Sequence, residues 1–163
     1  MPTSPTLLSE HFTLEEAIIS QEAERFGIDN RNPDPRIITT ASRTAVKMEK
    51  VRSVLGDKGI HVNSWIRCLA LNRALKSKDD SQHVKGEAVD FICPAFGTPA
   101  EVCKKLVAEK TLVGFDQLIL EHTWVHISWN SVPNAIQRGQ VLSLLQDGEY
   151  AKGLTDKTGK SLA

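Results

Sequence analysis

The chain has 163 residues, 40% of them hydrophobic, which is enough for one domain with one sizeable core and argues against a multidomain protein. Its 20 Lys+Arg balance 20 Asp+Glu, so no overall charge recruits nucleic acid or an anionic membrane. Cys68, Cys93 and Cys103 are odd in number and form no CxxC pair, which excludes a zinc knuckle or a disulfide framework and leaves free, buried thiols.

Residues 1–10 are rich in Pro, Ser and Thr and read as a flexible leader with neither the basic nor the apolar part of a signal peptide. Thr13 and Glu16 then form a capping box, with Phe12 and Ala17 spaced for a hydrophobic staple, so a helix is predicted over 14–26 with Gly27 at its end. Residues 29–35 form an irregular connection. Asp34 and Pro35 open a second helix as N-cap and first-turn proline, and Ile38, Ala41, Ala45, Met48, Val51 and Leu55 keep helical spacing up to Gly56.

Residues 60–64 alternate and predict a strand, 69–75 a short helix, 76–80 a polar loop and 87–92 another strand. Thr98, Pro99 and Glu101 supply the cap, proline and N3 carboxylate of a helix reaching about residue 110. Residues 116–121 and 124–130 are separated by His122 and Thr123 alone and predict an antiparallel hairpin. A last strand is expected at 140–145, and 151–163 reads as a polar, frayed tail. Helices first and strands later, without βαβ alternation, predict an α+β domain over 11–150, with helices packed on a mostly antiparallel sheet. No apolar run approaches the ~20 residues that span a bilayer, so no membrane insertion is expected.

The segment 81–90, Ser-Gln-His-Val-Lys-Gly-Glu-Ala-Val-Asp, holds His83 and Asp90 seven residues apart with Gly86 between them to reverse the chain. Imidazole nitrogen and carboxylate oxygen suit zinc, and a catalytic zinc takes three protein ligands and keeps a position open for water. By spacing alone, a plain hydrogen-bonded His–Asp pair is the more ordinary reading.

Read whole, the segment resembles the Ser-x-His-x-x-Gly-x-Ala-x-Asp motif of the M15 peptidases, the D-Ala-D-Ala carboxypeptidase family with the Hedgehog/DD-peptidase fold. The likeness continues through 11–16, His-Phe-Thr-Leu-Glu-Glu, through 63–67 with Leu71 and Asn72, and through 124–128, Trp-Val-His-Ile-Ser. Trp65 stands where the family has glycine, a departure that touches the cleft and removes no ligand. The resemblance implies one Zn2+ held by His83, Asp90 and His126, and a substrate cleft in which Arg67 approaches the scissile carbonyl or a substrate carboxylate. Ser81 and Gln82 shape the ligand loop and contact substrate, while Gly86 and Ala88 stay small so that the chain can turn and pack.

The general base is read from geometry. Across a two-residue turn Glu121 pairs with Trp124, so that Glu121, Trp124, His126 and Ser128 share one face and Glu121 points toward the metal. His122, in the turn itself, is the alternative base. Thr123 occupies the place, three residues before the last ligand, where other members carry an acid. His11 and His61 read as structural. Trp124 is the tryptophan expected to touch substrate.

The resemblance implies hydrolysis of a peptide bond in peptidoglycan, either removal of a terminal D-Ala or endopeptidase cleavage of the phage endolysin type. The missing signal peptide favours an enzyme made in the cytoplasm that meets the wall on release or within a virion. A monomer is expected. A non-catalytic zinc-containing, wall-binding module of the same fold is the alternative.

Overall fold

The computed structural model describes residues 3–163. Met1 and Pro2, the start of the expected leader, lie outside the described residues. Helices α1 (Leu14–Ile18), α2 (Gln21–Phe26), α3 (Pro35–Val54), α4 (Leu69–Ala74), α5 (Pro99–Ala108) and α6 (Lys110–Val113) surround strands β1 (His61–Ser64), β2 (Ala88–Ile92), β3 (Gln117–Leu120), β4 (Val125–Ser128), β5 (Gln140–Leu144) and β6 (Tyr150–Lys152). The strands form one sheet in the order β1-β2-β4-β3-β5-β6. Every pairing is antiparallel except β3 with β5. The α+β architecture with a mostly antiparallel sheet is therefore as expected.

Local chemistry explains most boundaries. The Thr13–Glu16 box closes reciprocally at α1, and Asp34 caps α3 with Pro35 in its first turn. Thr98 and Glu101 repeat the box at α5. The single helix predicted over 14–26 is two: α1 ends at Ile18, and the Ser20 side chain accepts from the Ala23 N–H to start α2. A serine that satisfies a free N–H stabilises a new helix start more than it favours a helix interior. The helix from 98 likewise breaks at Glu109 before α6.

Both ends of the chain are more ordered than their composition suggests. The Thr6 N–H donates to the Glu15 carboxylate, Leu7 bridges Thr13, and Leu8 is buried in the core. At the other end β6 pairs with β5, Thr155 is buried with its N–H on Ser143 Oγ, and Leu162 packs against the core. The frayed tail expected at 151–163 is thus a sheet edge followed by an exposed turn, anchored by buried Thr155 and by Leu154 and Leu162 against the core.

The sheet has two unlike faces. Val89, Phe91, Leu118, Leu120, Val125 and Ile127 point toward the helices and join Ala41, Met48, Val51 and Leu106 in the core. The opposite face carries, in one row across the strands, Ser64, Asp90, His126, Ile119 and Leu142. Residue alternation in each strand puts one set under cover and leaves the other for chemistry. No helix among the described residues is long and apolar enough to cross a membrane.

Candidate metal centre and cleft

Asp90 and His126 are direct partners in adjacent strands, and the pairing brings His126 Nδ1 to 2.8 Å from Asp90 Oδ1. His83 comes from the turn before β2, with Nε2 3.2 Å from Asp90 Oδ2. Ligand atoms of the three residues all lie within 4.8 Å of one another.

The turn that delivers His83 is tightly specified. Gly86 has φ +78°, and a Cβ there would lie 3.0 Å from the Ile37 carbonyl oxygen of α3, so both backbone conformation and space demand glycine. The Gly86 carbonyl accepts from Thr44 Oγ1 at 2.9 Å and from the Trp65 indole N–H at 3.1 Å. Trp65 is fully buried. Where the sequence suggests that this residue touches the cleft, the ring instead braces the ligand loop from inside the core.

The Trp65 carbonyl also lies 2.7 Å from His83 Nδ1. A carbonyl only accepts, so Nδ1 carries the proton and Nε2 of a neutral ring faces Asp90 with a lone pair. Burial, only partly offset by Asp90, pushes the His83 pKa down and favours that neutral ring. Burial works to raise the Asp90 pKa, but the attraction and hydrogen bonds of His83 and His126 outweigh it and hold the carboxyl far below the usual carboxylate range. When His83 is neutral, its Nε2 lone pair and Asp90 Oδ2 are two acceptors 3.2 Å apart, a gap that either a proton on His83 or a cation between them fills. Two imidazoles and one carboxylate, with one imidazole fixed by a backbone carbonyl, fit Zn2+.

Arg67 is held by Ser64 Oγ at 3.2 Å and gives Nη2 to Asp90 Oδ2 at 3.2 Å. An irregularity in the β1–β2 register between Val62 and Ser64 sets Ser64 opposite Asp90 and makes this possible. Arg67 thus grips the candidate ligand Asp90, and it lines a second, smaller cavity of about 250 Å³ with Asn30 and Ile66. Buried Asn30, which carried no signal in the sequence, ties that region together: its Nδ2 donates to the carbonyls of Ile18 and Ile66, and its Oδ1 accepts from Cys68 N–H.

His126 opens onto a cavity of about 460 Å³, which Ser81 and Gln82 also line. The hairpin has the predicted two-residue turn, with Glu121 N–H donating to the Trp124 carbonyl at 3.1 Å and His122 at φ 66°. Glu121 falls on the His126 face. Burial first, and then repulsion from Asp90, raises its pKa against the opposing pull of His126. His122 turns away: its Nε2 lies 2.7 Å from the Leu144 carbonyl, so that nitrogen carries the proton and anchors the hairpin to β5. Trp124 is part-buried at the turn and is not among the residues that line this cavity. His11 pairs with Glu49 at 2.8 Å.

The far wall comes from residues that sequence reasoning passed over. Arg138, Leu142 and Tyr150, from the chain after β4, line the same cavity as His126, and the Tyr150 hydroxyl lies 3.5 Å from Glu121 Oε1. Tyr150 is the chain's single tyrosine, but nothing in its spacing pointed to the cleft. Cys93 and Cys103 are buried free thiols, and Cys68 is part-exposed, with its Sγ accepting from Leu71 N–H at the start of α4.

An α+β domain with a two-histidine, one-carboxylate constellation at the floor of an open cleft has the design of a metallohydrolase. A family model described as Peptidase M15 matches residues 10–128, most of the chain, and the chain belongs to this peptidase family. M15 peptidases are zinc-dependent, in keeping with the His83, Asp90 and His126 cluster. No curated protein matches the chain.

Proposed function

We propose that the chain is a zinc peptidase that hydrolyses a peptide bond in the stem peptides of bacterial peptidoglycan, as a phage endolysin-like endopeptidase or a D-Ala-D-Ala carboxypeptidase. The observation that carries the reading is the opposed pair of acceptors, His83 Nε2 and Asp90 Oδ2, beside His126 at the base of a cleft. His83, Asp90 and His126 hold the ion. When bound, Zn2+ supplies Lewis acidity toward the scissile carbonyl and toward the attacking water.

The remaining work belongs to side chains. Glu121, with its pKa raised toward the working range, takes a proton from the attacking water and returns it to the leaving amine. The Tyr150 hydroxyl stands 3.5 Å from Glu121 Oε1, at the outer limit of a hydrogen bond. Arg67 fixes Asp90 and sets a positive charge beside the ligand cluster. Ser81 and Gln82 border the path of the peptide. Such an enzyme acts on the wall, as a monomer, after release or from a virion.

Incubating purified peptidoglycan with the zinc-loaded protein and identifying the products by mass spectrometry tests this reading. Free D-Ala marks a carboxypeptidase, and new internal termini mark an endopeptidase. Binding to the wall without any product supports a non-catalytic module and overturns the proposal.

A further inference from the structure

Arg138 lies outside residues 10–128, the part matched to the family, yet it shares one cavity with His126. It is held there by Asp116, whose side chain is 4% exposed, whereas that of Arg138 is 54% exposed. Arg138 Nη2 donates to Asp116 Oδ2 at 2.7 Å, Nε lies 3.2 and 3.1 Å from the two carboxylate oxygens, and the Arg138 backbone N–H donates to Oδ1 at 2.8 Å. The same carboxylate accepts from Gln82 Nε2 at 3.2 Å, next in the chain to His83. One buried acid thus fixes both the ligand loop and the guanidinium.

A guanidinium has five N–H donors. Asp116 engages the Nε edge and one end, while Nη1 meets only Gln140 Oε1 at 3.5 Å, a marginal contact. A fixed fork with free donors on its outer edge is suited to a planar carboxylate. Lys78 lines the same cavity, and Asp80 is the one carboxylate among the residues that line it. Because Asp116 already balances the charge of Arg138, discrimination rests on directed hydrogen bonds more than on long-range attraction.

We propose that Arg138 is a specificity-determining residue, binding a free carboxylate that the stem peptide carries beside the scissile bond while that bond lies over His126. This rests on the peptidase reading above. Two synthetic stem peptides provide the test, one with a free carboxylate on the residue beside the scissile bond and one with that group as its carboxamide. The zinc-loaded protein is expected to prefer the acid by about tenfold or more in kcat/KM, the size expected for hydrogen bonds to a charged group. In Arg138→Gln that ratio falls to near one. Arg138→Lys keeps a cation on buried Asp116 should the glutamine variant fail to fold, and there the ratio falls severalfold, because an ammonium cannot reproduce the fork. Equal cleavage of both peptides by the parent, or an unchanged ratio in a folded variant, overturns the role of Arg138 and leaves the peptidase standing. If the zinc-loaded parent cleaves neither peptide nor peptidoglycan, both readings fall together.

Discussion

Trp65 holds the ligand loop at two points: its carbonyl lies 2.7 Å from His83 Nδ1, and its indole N–H donates to the Gly86 carbonyl at 3.1 Å. The first contact fixes the tautomer of His83 and the second fixes the turn that delivers it. Trp65→Phe keeps most of the buried ring but loses the indole donor. Chemical denaturation is expected to record a loss of about 1–3 kcal/mol, and zinc titration a weakening of about tenfold, as for other residues that orient a ligand. Unaltered zinc affinity would separate Trp65 from the metal centre.

Gly86→Ala should be costly for two independent reasons, the φ of +78° and the 3.0 Å approach to the Ile37 carbonyl oxygen. A loss of about 2 kcal/mol or more is expected from thermal unfolding. Gly27, at φ +65° with nothing within 4 Å, should lose less on the same change.

Glu121→Gln preserves shape and removes the proton acceptor. The rate kcat should fall by about 10²–10⁴-fold while zinc remains bound. Since burial and Asp90 raise the Glu121 pKa, the acid limb of the pH–rate profile of the parent should lie above the ordinary carboxylate value. Activity rises as pH passes upward through that raised pKa, and the limb is lost in the glutamine variant. An unaltered limb would assign it to another group.

Asp116 gives a stability prediction of opposite sense. Burial works to raise its pKa, but the hydrogen bonds from Arg138 prevail and lower it. A carboxyl with a lowered folded pKa stabilises the fold above its unfolded pKa, and this stabilisation disappears as pH falls through the folded value. Asp116→Asn should therefore cost about 2 kcal/mol at neutral pH and much less in acid, as followed by urea unfolding at several pH values. A pH-independent difference would mean that packing, not charge, dominates the site.

The constellation was readable in the sequence wherever function is concentrated in neighbouring residues. His83, Gly86 and Asp90 lie in one short segment, and the caps at Thr13, Asp34 and Thr98 are local hydrogen-bonding chemistry. The two-residue hairpin turn followed from strand alternation, even though His122 is an unusual residue for a positive φ. Long-range partnerships left no such trace. Nothing near Arg138 announces Asp116, 22 residues earlier, and nothing near Tyr150 announces Glu121. The parallel pairing of β5 with β3 is likewise decided by packing across the sheet, and it helps bring Leu142 and its neighbours to the wall of the cleft. Arg67 is expected from the sequence to approach the scissile carbonyl or a substrate carboxylate, but its grip on Asp90 depends on a register irregularity in β1 that alternation does not reveal.

The most direct measurement is metal analysis of the purified, zinc-exposed protein beside His83→Ala, Asp90→Ala and His126→Ala. About one zinc per parent chain is expected, with loss from each variant whose fold is retained by circular dichroism. A parent that holds no zinc yet cleaves peptidoglycan, or variants that keep the full complement, would contradict the metal centre assigned to His83, Asp90 and His126.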